Sequence, residues 1–132
     1  MVEGDVMCIA CEIPNYGLFQ LPRHVVGYKV IKRDMTNWFR NGRTFQYKFH
    51  KVHRTTRTPA FSVLQDEVDA RVLASALAAV AEEKPMLVRV QLEEIERFGI
   101  WYYYHPHAGR FAFNTYEGRK LTLLNEVDYH EL

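Results

Sequence analysis

Apolar and polar positions change period several times along the 132-residue chain, and each change marks a predicted element. The stretch "DVMCIACEI" is apolar enough for a first strand, and "PNYGLFQLP" after it spaces Pro14, Gly17 and Pro22 as a loop does. "HVVGYKVIK" (24–32) reads as a second strand. In "MTNWFRNGRTFQYKFHKV", Asn41-Gly42 sits between β-rich flanks, a strong hairpin signal. Alternation then places Trp38, Phe45, Tyr47 and Phe49 on one face, toward the core, and Gln46, Lys48 and His50 on the other.

"TTRTPAFSV" reads as a turn-rich connection. From Asp66 to Glu83, "DEVDARVLASALAAVAEE" is rich in Ala and Leu and opens with acids. It sets Val68, Val72, Ala76 and Val80 one turn apart, with Leu73 and Leu77 beside them, and predicts a helix that Pro85 stops. "MLVRVQL" (86–92) alternates as a strand, "EEIERFG" reads as a short helical turn or a bend, and "IWYYYHPHAGRFAFNTYEGRKLTLLNEV" supplies two or three more strands with turns at "HPHAG" and "YEGR". Tyr102 and Tyr104 share one strand face, Trp101 and Tyr103 the other. The expected fold is α+β, an antiparallel sheet of about six or seven strands packed against one long helix (66–83), in a single domain spanning 1–132.

Composition agrees with a folded chain: 48% of residues are apolar and 25% charged, close to globular averages. No run approaches the roughly 18–20 apolar residues of a membrane helix, and "MVEGDVMCIACEI" lacks the basic and long apolar regions of a signal peptide. The expectation is a cytoplasmic protein with no membrane partner.

Net charge is only +1, yet residues 32–57 hold eight Lys or Arg against the single acid Asp34, while residues 66–132 hold twelve acids against seven bases. The basic segment predicts an anion-binding surface of Arg40, Arg43, Lys48, His50, Arg54 and Arg57, joined by Arg110; the other reading is attraction to the acidic half of the same chain.

Three constellations bear on chemistry. Cys8-x-x-Cys11 with His50-x-x-His53 has the donor set of a Cys2His2 zinc site, although a strand over "CIACEI" would send Cys8 and Cys11 to opposite faces; two reduced core cysteines are the other reading. His105 and His107, in the turn "HPHAG" with Arg110 close by, are candidates for phosphate binding or acid/base work near neutral pH, against a solvated turn. His53-Arg54-Thr55 matches H-x-T, but two-histidine phosphoesterase chemistry needs a second such element and no other histidine has threonine two residues on. There is no P-loop, nucleophile elbow or H-E-x-x-H, and no motif calls for a cofactor.

Glu94-Ile95-Glu96, after a strand, resembles the E-x-E element of ADP-ribosyltransferases, and Arg23-His24 precedes an early strand as an Arg or His does in that family. The resemblance implies that Glu96 would orient a ribose hydroxyl and that Arg23 or His24 would hold a dinucleotide; the family's serine-rich second-strand motif has no counterpart here. The wider layout, with "GYKVIKRDMT", one Ala-rich helix, "MLVRVQL" and a closing "EGRKLTLLNEV", resembles small accessory proteins of bacteriophages and other mobile elements, some of which inhibit host defence. That resemblance implies action in a host cytoplasm. The expected function is non-enzymatic binding of nucleic acid or a nucleotide through the basic hairpin. The alternatives are a host-protein inhibitor or homodimer using the Tyr-rich residues 100–107, and an ADP-ribosyltransferase-like or phosphodiester-acting enzyme using His105, His107 or Glu96.

Overall fold

The computed structural model describes residues 21–39, 52–54 and 60–130. Among these residues, seven strands and one helix run in the order β1 (His24–Ile31), β2 (Val52–Arg54), β3 (Ala60–Val63), α1 (Glu67–Val80), β4 (Met86–Glu93), β5 (Arg97–His105), β6 (Gly109–Glu117) and β7 (Lys120–Val127). They form two antiparallel sheets, one of four strands in the order β1-β4-β7-β2 and one of three in the order β3-β6-β5. The sheets touch through β1 and β3, where Tyr28 and Leu64 exchange both backbone hydrogen bonds at 2.8 Å.

The expected α+β fold, one sheet covered by a long helix over 66–83, is therefore corrected. The fold is mostly β, its strands are divided between two sheets, and the helix is a single element of 14 residues. Strand alternation reveals which residues share a face but not which sheet a strand joins. Two of the chain's passages between the sheets, from β4 to β5 and from β6 to β7, are made by short connections. The chain passes from the first sheet to the second through Glu94-Ile95-Glu96, a bend rather than a helical turn, with Glu94 at φ 59°; it returns through Gly118-Arg119, so "YEGR" joins two sheets instead of closing a hairpin.

The crossings lie side by side and are tied together. Glu96 N–H donates to the Glu117 carbonyl at 2.7 Å and Arg119 N–H to that of Glu93 at 3.4 Å. Arg119 pairs with Glu96 at 2.7 Å, Lys120 with Glu93 at 3.4 Å and Arg97 with Glu117 at 3.8 Å. A Cβ on Gly118 would lie 3.1 Å from the Glu93 carbonyl oxygen, so glycine lets the two segments approach.

Two other stretches differ from expectation. Strand β3 falls inside "TTRTPAFSV", where a connection was expected. The segment expected to run as a strand into the Asn41-Gly42 turn instead folds back on β1: Lys32 N–H donates to the Thr36 carbonyl at 2.8 Å, Asp34 accepts from the Thr36 hydroxyl at 2.6 Å, Met35 sits at φ 71°, and Asn37 bridges to Ile31. The Asn41-Gly42 hairpin itself, with Phe45, Tyr47 and Phe49, and the predicted strand at "DVMCIACEI" lie outside the described residues.

Helix α1 starts at Asp66, whose carboxylate accepts from Val68 N–H at 3.2 Å, and the acids Glu67 and Asp69 complement the helix dipole in the first turn. Its buried stripe is Ala70, Leu73, Ala74, Leu77 and Ala78; Val68 and Val80, part of the one-turn spacing that predicted the helix, are 61% and 65% exposed. That stripe joins Val30, Leu87, Tyr103, Phe111 and Phe113 in one apolar cluster. A second cluster fills the angle between the sheets, with Val25, Ile31, Val88, Val90 and Leu92 facing Phe61, Val63 and Tyr116. Buried at the edge of this second cluster is a charged residue, Lys29, whose Nζ donates to the Ser62 carbonyl at 2.9 Å; burial pulls its amine down from its usual 10.5 to about 7.

Candidate functional site

The β5–β6 hairpin has an unbroken register from Arg97 opposite Glu117 to His105 opposite Gly109, closed by Pro106, His107 and Ala108. Gly109 closes that turn at φ 99°, a conformation only glycine adopts readily. Alternation gives the hairpin two unlike faces. Tyr103, His105, Phe111 and Phe113 share the buried face, the first, third and fourth in the apolar cluster that α1 joins. The opposite face carries Phe98, Ile100, Tyr102 and Tyr104 from β5, with Arg110, Ala112, Asn114 and Tyr116 from β6.

That second face is covered over only half its length. Phe98 and Tyr116 lie under the four-stranded sheet with their rings 5.1 Å apart. Toward the turn the cover ends, leaving Ile100, Tyr102 and Tyr104 exposed by 44%, 43% and 70%. Arg110, opposite Tyr104 and diagonal to Tyr102, lays its guanidinium 3.7 Å from the centroid of the Tyr102 ring. This is cation–π contact at stacking distance. The described residues on this face include no Asp or Glu, and Arg110 forms no ion pair with a described carboxylate. The open end of the hairpin thus joins two exposed rings to a held cation that no described carboxylate pairs.

The histidines expected at the loop tip separate. His105 is the last residue of β5 and 4% exposed, so the expectation of a loop-tip imidazole is corrected: two residues beyond buried Tyr103, it falls on the same inward face. Its Nδ1 accepts from the His107 N–H at 3.2 Å, which leaves the proton of the neutral ring on Nε2. Burial, with the nearby His107, pushes its pKa below the usual histidine value. His107 is exposed in the turn with its ring centroid 6.0 Å from that of His105. No joint acid/base pair facing solvent results, since one of the two imidazoles is inside.

Of the other predicted residues, Arg40, Arg43, Lys48, His50, Arg57, Cys8 and Cys11 lie outside the described residues. His53 and Arg54 stand in β2 opposite Leu121 and Lys120. Among the described residues no group of three or more His, Cys, Asp or Glu is arranged to hold a metal ion. Arg23 immediately precedes β1 and His24 begins it, pairing in register with Glu93, so the E-x-E residues and the early Arg-His pair sit at the same end of the four-stranded sheet. Glu96 there is engaged by Arg119. The structure gives this carboxylate a place in the crossing between sheets.

Two hollows remain. One, of about 420 Å³, is lined by Arg33, Glu126, Asp128, Tyr129 and His130; Arg33 lies 3.8 Å from Glu126, and Asp128 accepts from the backbone N–H of His130 at 2.8 Å. The other, of about 310 Å³, is apolar, with Met35, Met86, Val88 and Leu123 in its lining. Neither brings together groups that share a task as those of the hairpin do. Comparison with protein-family models, curated proteins and solved structures finds no match. The hairpin face was half legible: the pairing of Tyr102 with Tyr104 follows from alternation, and the Arg110 contact follows once "HPHAG" is read as a turn that sets Tyr104 opposite Arg110.

Proposed function

We propose that this chain is a non-enzymatic nucleic-acid-binding protein, and that the open end of the β5–β6 face is part of its binding surface. The observation that carries this reading is the Arg110 guanidinium over the Tyr102 ring beside exposed Tyr104, on a face whose described residues include no carboxylate. Rings accept nucleobases without sequence preference, and an arginine beside them that no described carboxylate pairs suits a phosphate. The basic composition of residues 32–57 supports the same kind of partner.

A second reading rests on Ile100 and Ala112, which add exposed apolar area to the same face; tyrosine and arginine dominate the energetics of protein interfaces as well. In that reading the partner is a host protein or a second copy of the chain. The setting we propose in either case is that of the bacteriophage accessory proteins its layout resembles, in the cytoplasm of a host.

Fluorescence anisotropy with a labelled mixed-sequence oligonucleotide at rising salt tests the first reading. Affinity is expected to fall steeply between 50 and 200 mM salt, and Arg110→Glu is expected to weaken binding at every salt concentration. Binding that ignores both salt and Arg110→Glu would remove nucleic acid as the partner at this face.

A further inference from the structure

Resting on the nucleic-acid reading above, we infer that this face takes unpaired nucleotides, with a base stacked on Tyr104 and the adjoining phosphate on Arg110, held in place by Tyr102. The two tyrosines are not equivalent. Tyr102 already carries a guanidinium at 3.7 Å, so part of its ring is occupied. Tyr104, 70% exposed, has the ring with room for a planar ligand. The two side chains leave the same face two residues apart, hence about 7 Å along the strand. One free ring beside a held cation suits the base and phosphate of one nucleotide better than two successive bases.

The geometry also selects strandedness. A base can lie flat on Tyr104 only if one of its faces is free, and duplex bases are stacked on both sides except at the ends. Reading a duplex by its grooves instead needs an element that projects into them. On this face the projecting groups are exposed ring side chains and one arginine on a sheet, and a sheet surface of this kind offers platforms. Tyr102 acts as a positioning residue: its ring restricts the arginine's rotamers, so less freedom is lost when a phosphate is bound. Its hydroxyl has no part in this.

The test compares one labelled 16-nucleotide single strand of mixed sequence with the same strand annealed to its complement, using anisotropy at several salt concentrations. Single-strand affinity is expected to exceed duplex affinity by tenfold or more. Tyr104→Ala is expected to weaken single-strand binding about 5- to 100-fold with the salt slope unchanged, because stacking releases no counterions. Arg110→Gln should instead reduce that slope by about 0.7, the contribution of one phosphate contact to a single strand. Tyr102→Phe should bind like the parent, whereas Tyr102→Leu should weaken binding with Arg110 still present. All three positions tested are on the exposed end of the face, and unchanged thermal unfolding of each variant verifies that the fold is retained.

Equal affinity for the two probes, with Tyr104→Ala silent, overturns the inference and leaves salt-dependent nucleic-acid binding standing. No binding of either probe at 50 mM salt overturns both. Light scattering that shows a dimer lost on Tyr104→Ala, without oligonucleotide binding, overturns both in favour of a protein partner.

Discussion

Lys29 shows how one residue can set the response of the whole chain to pH. An ammonium group in the angle between two sheets loses most of its hydration, and the Ser62 carbonyl at 2.9 Å replaces only part of it. With its amine near 7 in the folded chain and 10.5 in the unfolded one, the unfolded state binds more protons between those values. Stability therefore rises with pH from about 7 upward and is lowest below 7, where both states carry the proton. His105 acts in the same direction at lower pH, since its depressed pKa makes unfolding proton-consuming below the usual histidine value. Above pH 10 the sign reverses, because Tyr28, Tyr116 and Tyr129 hold their protons longer when folded. We expect the urea midpoint to climb between pH 7 and 9.5. Lys29→Met should flatten that climb and raise stability at pH 7 by on the order of 2–4 kcal/mol, less than the full linkage value because the Ser62 carbonyl loses its donor. A midpoint that does not move with pH in the parent chain would show that Lys29 keeps an ordinary pKa.

At the scale of elements, strands and helix were legible to different depths. Period-two alternation found β1, β4 and β6, and it correctly paired Tyr102 with Tyr104 and Phe111 with Phe113. It missed β3, because Pro59 and three threonines in "TTRTPAFSV" look like a connection while the four residues Ala60–Val63 gain their strand conformation from pairing with β6. The helix was found by composition and by the one-turn spacing of its apolar residues, but that spacing did not mark its buried side. Val68 and Val80 are exposed, whereas the small residues Ala70, Ala74 and Ala78 lie with Leu73 and Leu77 on the buried side and let the helix lie close against β1 and β4. Its N-terminus was marked by Asp66 and the acids after it, and that cap is testable. Asp66→Ala removes the acceptor for Val68 N–H and should lower stability by about 1 kcal/mol, read as a shift of the urea midpoint without a change of slope. Asp66→Asn, which keeps an acceptor oxygen, should recover most of it; if Asn is no better than Ala, the hydrogen bond is not what the cap contributes.

On the scale of the whole molecule, the main question is what keeps two sheets in one cooperative unit, since the local patterns that formed the strands carried no instruction about how the sheets meet. The junction depends on close approach. Gly27 of β1 faces Val63 of β3, and a Cβ there would lie 2.8 Å from Val63 Cγ2, 2.9 Å from its Cβ and 3.1 Å from the Leu64 carbonyl oxygen. Val63 cannot turn away easily, because it is fully buried and β-branched. The paired bonds between Tyr28 and Leu64, one residue further along each strand, would have to stretch to admit a methyl group. Gly27→Ala is therefore expected to destabilise the chain by about 1–3 kcal/mol, in the range of core overpacking. Val63→Ala opens room at the same point and leaves a cavity of its own, so each substitution alone should be destabilising while the pair together costs less than the sum of the two. The parent should unfold in one step, with the tyrosine signal of β5 and β6 and the backbone signal coincident. In Gly27→Ala the two signals are expected to stay coincident at a lower midpoint, because the second apolar cluster is built from both sheets and neither keeps a core when they part. Separated transitions, or additive costs in the double variant, would show that the sheets are held together somewhere other than at Gly27 and Val63.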